Sequence, residues 1–106
     1  MRLVQANGKA AVAREPDHAL IRLLLKARGW WSRLATGEID IATLARQEQV
    51  NDSWMTRVVR LNFLAPEIVE AILNGEKPAR LTADSLALIS PLPIAWSDQR
   101  EQVAAL

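Results

Sequence analysis

The stretch LARQEQVNDSWMTRVVRLNFL, residues 44–64, contains two short amphipathic segments that meet at a turn. Apolar residues recur at helical spacing on both sides of residues 50–52. We therefore predict one helix over residues 41–49 and a second over residues 52–64, with Asn51 as the N-cap of the second. Helices that meet in this way are typical of a DNA-binding helix-turn-helix, but they also occur as plain packing elements of a small core.

The second of these helices carries its polar side chains on one side. On a helical wheel, the apolar arc consists of Trp54, Met55, Val58, Val59, Leu61 and Phe63. The opposite side consists of Ser53, Thr56, Arg57 and Arg60, so Asn62 is the only polar residue outside it. A solvated face usually mixes charges of both signs, whereas this face has two arginines, two hydroxyls and no acid. Such a face suits the major groove, because arginine pairs with guanine and phosphates repel carboxylates.

The first helix of the pair supplies the frame of the motif. Ala45 is the small residue expected where two helices cross closely. The predicted apolar contacts between the helices are Leu44, Val50, Met55 and Val58. Gln49 departs from the pattern, because a glycine is common at this turn and a side chain must here adopt the turn conformation.

A longer helix precedes the pair. It is predicted to begin near Pro16 and Asp17 and to run to about residue 35, before Thr36 and Gly37. Its core stripe contains Leu20, Leu23, Leu24, Ala27, Trp30, Trp31 and Leu34, and we expect both tryptophans to pack in the core. Arg22, Lys26 and Arg33 form a basic strip on its flank, which is either a solvated face or a set of phosphate contacts.

Three further helices are predicted after residue 65. Pro66 suits the first turn of a fourth helix that Gly75 ends. Thr82 is the expected N-cap of a fifth, and Ser97 of a short sixth. Residues 1–16 contain Asn-Gly and could form a short β-hairpin or a tail. We therefore expect an all-α fold, a small helical bundle containing a helix-turn-helix, divided into residues 1–16, 17–78 and 79–106.

Composition limits the classes of function. The 106 residues suffice for one domain, and the chain has no cysteine and one histidine, so we expect no metal and no cofactor. No motif of paired carboxylates, nucleophile and base, or phosphate loop stands out, so we expect no enzyme. We find no signal peptide and no apolar run of membrane-spanning length, and expect a cytoplasmic protein.

Charge divides the chain into two halves. Residues 1–63 contain ten basic and six acidic residues, and residues 64–106 contain three and six. The front half therefore carries a charge of +4 and the back half −3, so a polyanion is expected to meet the front half.

The segment IATLARQEQVNDSWMTRVVRLNFLAPEIVEAILNGEKPARLT, residues 41–82, resembles two families of DNA-binding proteins. One is the plasmid-partition proteins of the ParB/KorB type, and the other is the C-terminal region of bacterial and phage serine recombinases. The resemblance extends over residues 17–100 and includes LAPEIVEAILNG, P-x-x-LT and PLPIAWSDQR. It implies a recognition helix over residues 52–63. It does not supply catalysis, because we expect no counterpart here of the catalytic domain that those recombinases place ahead of this region, whether the chain is a free-standing small regulator or an excised fragment.

The resemblance also implies the residues that contact DNA. On the recognition helix they are Ser53, Trp54, Thr56, Arg57 and Arg60, with Asn51 at its start. Thr43 and Arg46 would lie near phosphates on the supporting helix. Trp54 stands at the edge of the apolar arc, where it could pack in the core, which we favour, or contact a base or sugar.

Two functions remain open. The first is sequence-specific binding of double-stranded DNA. The second is a protein-interaction module in which the apolar C-terminal half docks a partner or self-associates. The stretch SLALISPLPIAW is the expected surface for a homodimer, which a single helix-turn-helix needs for tight binding to a palindrome.

Overall fold

The computed structural model describes residues 16–89 and 91–106, and this part of the chain is all-α, as predicted. Its helices are α1 (His18–Leu34), α2 (Ile41–Glu48), α3 (Asp52–Val59), α4 (Pro66–Leu73), α5 (Ala83–Leu88) and α6 (Trp96–Ala104), with a 3-10 helix over Arg60–Phe63. The predicted hairpin or tail at residues 1–16 lies outside the described residues, apart from Pro16.

Helix α1 forms one wall of the core. Asp17 precedes the helix as its N-cap, and its carboxylate accepts a hydrogen bond from the Leu20 backbone N–H over 3.1 Å. The side chains of this helix that are buried are Leu20, Leu23, Ala27 and Trp30. The prediction for Trp31 was wrong, because 42% of this residue is exposed. At the edge of the stripe it packs against the ring of Phe63 instead of entering the core.

Helices α2 and α3 are joined by the three residues 49–51. Leu44, Ala45, Met55 and Val58 are buried and Val50 is half-buried in the same core, which confirms their predicted packing role. Asn51 is the N-cap of α3, since its side-chain oxygen accepts from the backbone N–H groups of Ser53 and Trp54. Gln49 has a φ of 60° and therefore carries the turn in the left-handed conformation, as predicted.

Helix α3 is shorter than the predicted range of residues 52–64. It tightens into the 3-10 helix at Arg60, and the reason is visible at Asn62. The Asn62 amide donates to the backbone carbonyls of Val59 and Ala27, each over 2.8 Å. This bridge to α1 explains why a polar residue falls within the apolar arc. The 3-10 turn also shifts the side chains away from their positions on the helical wheel. Phe63 leaves the packing face and is 54% exposed.

The last three helices contribute side chains to the same core. Gly75, with a φ of 73°, ends α4 as predicted. Thr82 caps α5 in a capping box with Ser85. The predicted Ser97 cap was wrong: α6 begins at Trp96, two residues earlier than that cap implies, with Ala95 in the cap position and no side-chain cap.

One side chain explains where α6 begins. Gln99 is 1% exposed, and its amide oxygen accepts from the Ala65 N–H over 2.8 Å. Its amide nitrogen donates to the carbonyls of Phe63 and Pro93, over 3.0 and 2.7 Å. A long-range contact therefore sets the start of this helix, in place of a local cap.

The core is continuous from α1 to α6. Leu20, Met55, Leu81, Leu86 and Val103 all belong to one cluster of buried apolar side chains. Among the helices of residues 16–89 and 91–106, none is long and apolar enough to cross a membrane.

Candidate nucleic-acid interface

The polar face of α3 points outward because the opposite face is fixed in the core. Met55, Val58 and Val59 are buried. Ser53, Arg57 and Arg60 are exposed, and Thr56 is half-buried. The Thr56 hydroxyl donates to the Asp52 carbonyl over 2.9 Å, which leaves its oxygen as an acceptor. The structure thus places all four predicted residues of this face on one exposed side of α3 and its 3-10 extension.

The exposed side of α3 begins with an acid that the helical wheel did not include. Asp52 is the first residue of α3, and it is exposed. The face is therefore free of acid only from Ser53 onward. A carboxylate at this place favours the helix N-terminus, and it is also a group that can accept a hydrogen bond from the N4 amine of cytosine.

The two arginines of this face are available for a ligand. Neither Arg57 nor Arg60 pairs with a carboxylate of residues 16–89 or 91–106. Arg57 lies in the last turn of α3, whereas Arg60 begins the 3-10 helix. Within the described part of the chain, the two guanidinium groups therefore leave their donors to anionic or acceptor groups of a ligand.

The polar residues around the turn are already engaged in capping. The Asn51 oxygen serves as the N-cap of α3, so its side chain offers only the amide N–H groups to a ligand. The Thr43 hydroxyl, followed by the Thr43 backbone N–H, holds the pKa of the Asp40 carboxyl below its usual value. The Thr43 oxygen also accepts a 3.5 Å bond from Arg46. These contacts stabilise α2, and Arg46 remains exposed.

A small cleft brings Trp54 next to the basic strip of α1. Its lining includes Arg22, Lys26 and Trp54, together with Asp84 of α5. Trp54 is 37% exposed, so it borders the cleft and is not the buried core residue that we favoured from the sequence. The sequence could not reveal this cleft, because its walls come from three helices far apart in the chain.

The three residues of the basic strip do not all lie at the cleft. Arg22 and Lys26 are exposed at the cleft, and the Lys26 ammonium lies 5.5 Å from the centre of the Trp30 ring. Arg33 is exposed too, but it donates to the Gln47 side chain over 3.0 Å. Only the first two residues of the strip therefore stand beside Trp54.

Helix α1 also holds the end of α2. The Trp30 indole N–H donates to a Glu48 carboxylate oxygen over 3.1 Å, and Arg33 bonds Gln47. Gln47 and Glu48 are the two residues before the turn residue Gln49. These two hydrogen bonds therefore connect the start of the turn between α2 and α3 to the longest helix of the fold.

A second surface feature lies at the other end of α3. We call it the aromatic groove, of about 840 Å³, and its described lining is Arg60, Asn62, Phe63, Leu64, Pro91, Leu92, Pro93, Ile94 and Trp96. Ile94 is 95% exposed and Trp96 51%. Part of the stretch predicted for self-association lines this groove, but the contribution of Phe63 was missed, because the wheel had placed it in the core.

The described residues contain no group of three or more His, Cys, Asp or Glu side chains that could hold a metal ion. Comparisons of the chain with protein-family models, with curated proteins and with solved structures give no match.

Proposed function

We propose that this protein binds double-stranded DNA in a sequence-specific manner, with α2 and α3 as a helix-turn-helix and α3 as the recognition helix. The observation that carries the proposal is the exposed face of Ser53, Arg57 and Arg60, whose arginines have no carboxylate partner in the described structure. Two arginines without a carboxylate partner among the described residues, one on α3 and one on its 3-10 extension, have the chemistry that reads base edges and phosphates.

The dimensions of α3 suit this role. An α-helix with its side chains is about 10 to 12 Å in diameter, which matches the ~12 Å width of the major groove, and the eight residues of α3 give about two turns that can lie in it. Recognition helices contact bases mainly with their N-terminal residues. Ser53 lies in the first turn of α3, and Arg57 lies one turn further along the same face with a long side chain that leans toward the helix N-terminus. These two residues have the base-reading role in the proposal, whereas Arg60, on the 3-10 helix, has a phosphate role.

The supporting contacts keep α3 from rotating. Its buried face is packed against α1 and α2, and the Trp30–Glu48 and Arg33–Gln47 bonds fix the end of α2. A preorganised helix loses little conformational entropy when it enters a groove. Specific readout depends on such rigidity, because a bidentate arginine contact tolerates little change in angle.

The resemblance of residues 41–82 extends this proposal to a biological setting. It favours a DNA-binding region of the serine-recombinase or ParB/KorB type, in a phage, plasmid or bacterial regulator. Within the proposal the protein has no catalytic activity of its own and acts in the cytoplasm.

The experiment that tests the proposal is selection of bound sites from random duplexes, followed by affinity measurements on the selected site. Arg57→Ala is expected to cost about 1 to 3 kcal/mol and to relax the preference at one base pair. Arg28→Ala is the matched control, because Arg28 is exposed on α1 but lines neither the cleft nor the α3 face. Equal affinity of wild type and Arg57→Ala, or no enriched site, would contradict DNA reading by α3.

The second candidate function is a protein-interaction module in which the helix-turn-helix is only structural. The aromatic groove favours it, because exposed aromatic patches of this kind mark interaction surfaces. The two functions predict different sensitive residues: Arg57 for DNA, and Ile94 or Trp96 for a protein. A protein that binds no duplex at low salt but associates through the groove would have the second function.

A further inference from the structure

We infer that a second copy of this chain covers the aromatic groove, in a two-fold symmetric dimer in which Ile94 of each copy enters the groove of the other. The inference goes beyond DNA binding and does not depend on it. It rests on the exposure, shape and charge of the groove itself.

The exposed apolar side chains of the described residues are concentrated at this place. Eight large apolar residues are exposed, and four of them form one patch: Trp31, Phe63, Ile94 and Trp96. The last three line the groove, and Trp31 joins them because its ring meets Phe63 edge-on, with the ring centres 5.9 Å apart. Scattered exposure needs no explanation, but a contiguous patch indicates a binding surface.

The exposed apolar area of the patch is large enough to form the centre of a dimer interface. Aromatic side chains bury about 150 to 250 Å² each, and Trp31, Phe63 and Trp96 are each about half exposed. Together they offer roughly 300 Å², to which Ile94 adds an almost fully exposed aliphatic side chain. A standard interface buries about 800 Å² on each partner. The patch is smaller than this, so it would form the apolar centre of the interface, and the surface around it would form the polar rim.

Ile94 has the form of a fixed protrusion. Pro91 and Pro93 restrict the backbone before it, and the Pro93 carbonyl accepts a 2.7 Å hydrogen bond from the buried Gln99 amide. The segment is therefore held in place while the Ile94 side chain stays 95% exposed at the margin of the groove. Little backbone entropy is lost when a side chain on such a restrained segment is buried.

The choice of a second copy follows from this pairing of protrusion and groove on one face. A two-fold interface uses the same patch on both partners, so the patch must be complementary to itself. Here one surface carries both the apolar protrusion and the apolar groove that receives it. A different partner would have to provide its own cavity for Ile94, whereas the chain already contains one.

Charge places one condition on this association. Arg60 is the only charged residue among the described residues that line the groove, so a two-fold dimer brings two like-charged guanidinium groups to the interface. Arg60 is exposed, so both groups stay hydrated at the polar rim, and no carboxylate has to be buried.

The test measures self-association in the absence of DNA, so that its result is separate from the DNA proposal. Sedimentation velocity over a range of protein concentrations is compared for wild type, Ile94→Glu and Leu25→Glu. Leu25 is the matched control, because it is an apolar residue that is 63% exposed on α1 and does not line the groove. Both positions are exposed, so neither change should unfold the chain, which circular dichroism verifies.

We expect wild type and Leu25→Glu to dimerise and Ile94→Glu to weaken the dimer at least about tenfold, as for a central interface residue. A monomer at every concentration would overturn the inference. A dimer indifferent to Ile94→Glu would overturn it too, as would equal weakening by Leu25→Glu.

Symmetry is tested with one introduced thiol, because the chain has no cysteine of its own. Ser97→Cys, exposed beside the groove residue Trp96, accepts a spin label. A two-fold dimer gives one short distance between labels, which Ile94→Glu abolishes. The absence of any dipolar coupling would contradict a dimer through this face.

A dimer that shows no DNA binding would leave this inference intact and remove only the proposed function.

Discussion

At the scale of single residues, the amides of the buried Gln99 and the half-buried Asn62 hold the helices together. Gln99 satisfies three backbone groups at once, the Ala65 N–H and the carbonyls of Phe63 and Pro93. Asn62 joins α1 to the end of α3 through two further carbonyls. Gln99 thereby satisfies backbone groups that apolar packing alone would leave without a partner, and Asn62 adds a bond between two helices.

We predict that Gln99→Leu destabilises the protein by about 2 to 4 kcal/mol. Leucine fills a similar volume, but it leaves a buried donor and two carbonyls without their partner. Urea denaturation followed by circular dichroism measures the change. Gln102→Leu, on the exposed side of the same helix, is the control and should change the stability by less than about 0.5 kcal/mol. Equal stabilities of the two variants would show that the amide contributes no net stabilisation.

These two residues also show where prediction from sequence stops. A wheel identifies Asn62 as an exception but cannot say why, because its partner Ala27 lies 35 residues away in the chain. Gln99 looks like an ordinary surface residue of a polar helix. Only the tertiary structure brings the backbone groups that they bind into reach.

At the scale of elements, the same helix ending occurs twice with different residues. After α4, the Gly75 N–H donates to the Ile72 carbonyl and the Glu76 N–H to the Ala71 carbonyl. After α2, the N–H groups of Gln49 and Val50 donate in the same pattern, to Arg46 and Ala45. This is the Schellman arrangement, whose left-handed residue is usually glycine. In α2 a glutamine occupies that position.

We predict that Gln49→Gly stabilises the protein by about 1 kcal/mol. A side chain in the left-handed region costs roughly 1 to 2 kcal/mol, and glycine removes that cost but loses more entropy on folding. Thermal unfolding gives the measurement. Gln49→Ala keeps the Cβ atom and should bring no gain. A Gln49→Gly variant that is less stable than Gln49→Ala would contradict a strained turn.

The elements that local chemistry determines were predicted well. Asn51, Thr82 and Gly75 begin or end helices as expected, because caps act within a few residues. The start of α6 was not predicted, because Gln99 and not Ser97 determines it. The end of α3 was missed for the same reason, since Asn62 binds Val59 and tightens the last turn.

At the scale of the whole molecule, the C-terminal helices share the core of the helix-turn-helix. Leu81, Leu86 and Val103 belong to the same buried cluster as Leu20 and Met55. The apolar pattern predicted an all-α core, but it could not show which helices meet. The exposed face of α3 was predicted from the same pattern, whereas the cleft at Trp54 and the aromatic groove depend on contacts between distant segments.

We predict that Leu86→Ala lowers the stability of the whole domain by about 2 to 5 kcal/mol, because Leu86 is fully buried. Leu88→Ala is the control in the same helix, since Leu88 is 77% exposed. Unfolding followed by circular dichroism and by tryptophan fluorescence should give coincident single transitions. Two separate transitions would show that the C-terminal helices fold as an independent unit.

The bridge at Asn62 has a mechanical consequence for the two surfaces of the molecule. Its amide holds α1 and the last turn of α3, and the residue itself lines the aromatic groove. A molecule that displaced this wall of the groove would have to break both bonds or carry α1 and α3 with it. A displacement of this groove wall is therefore expected to shift the polar face of α3 as well, because the same side chain holds both.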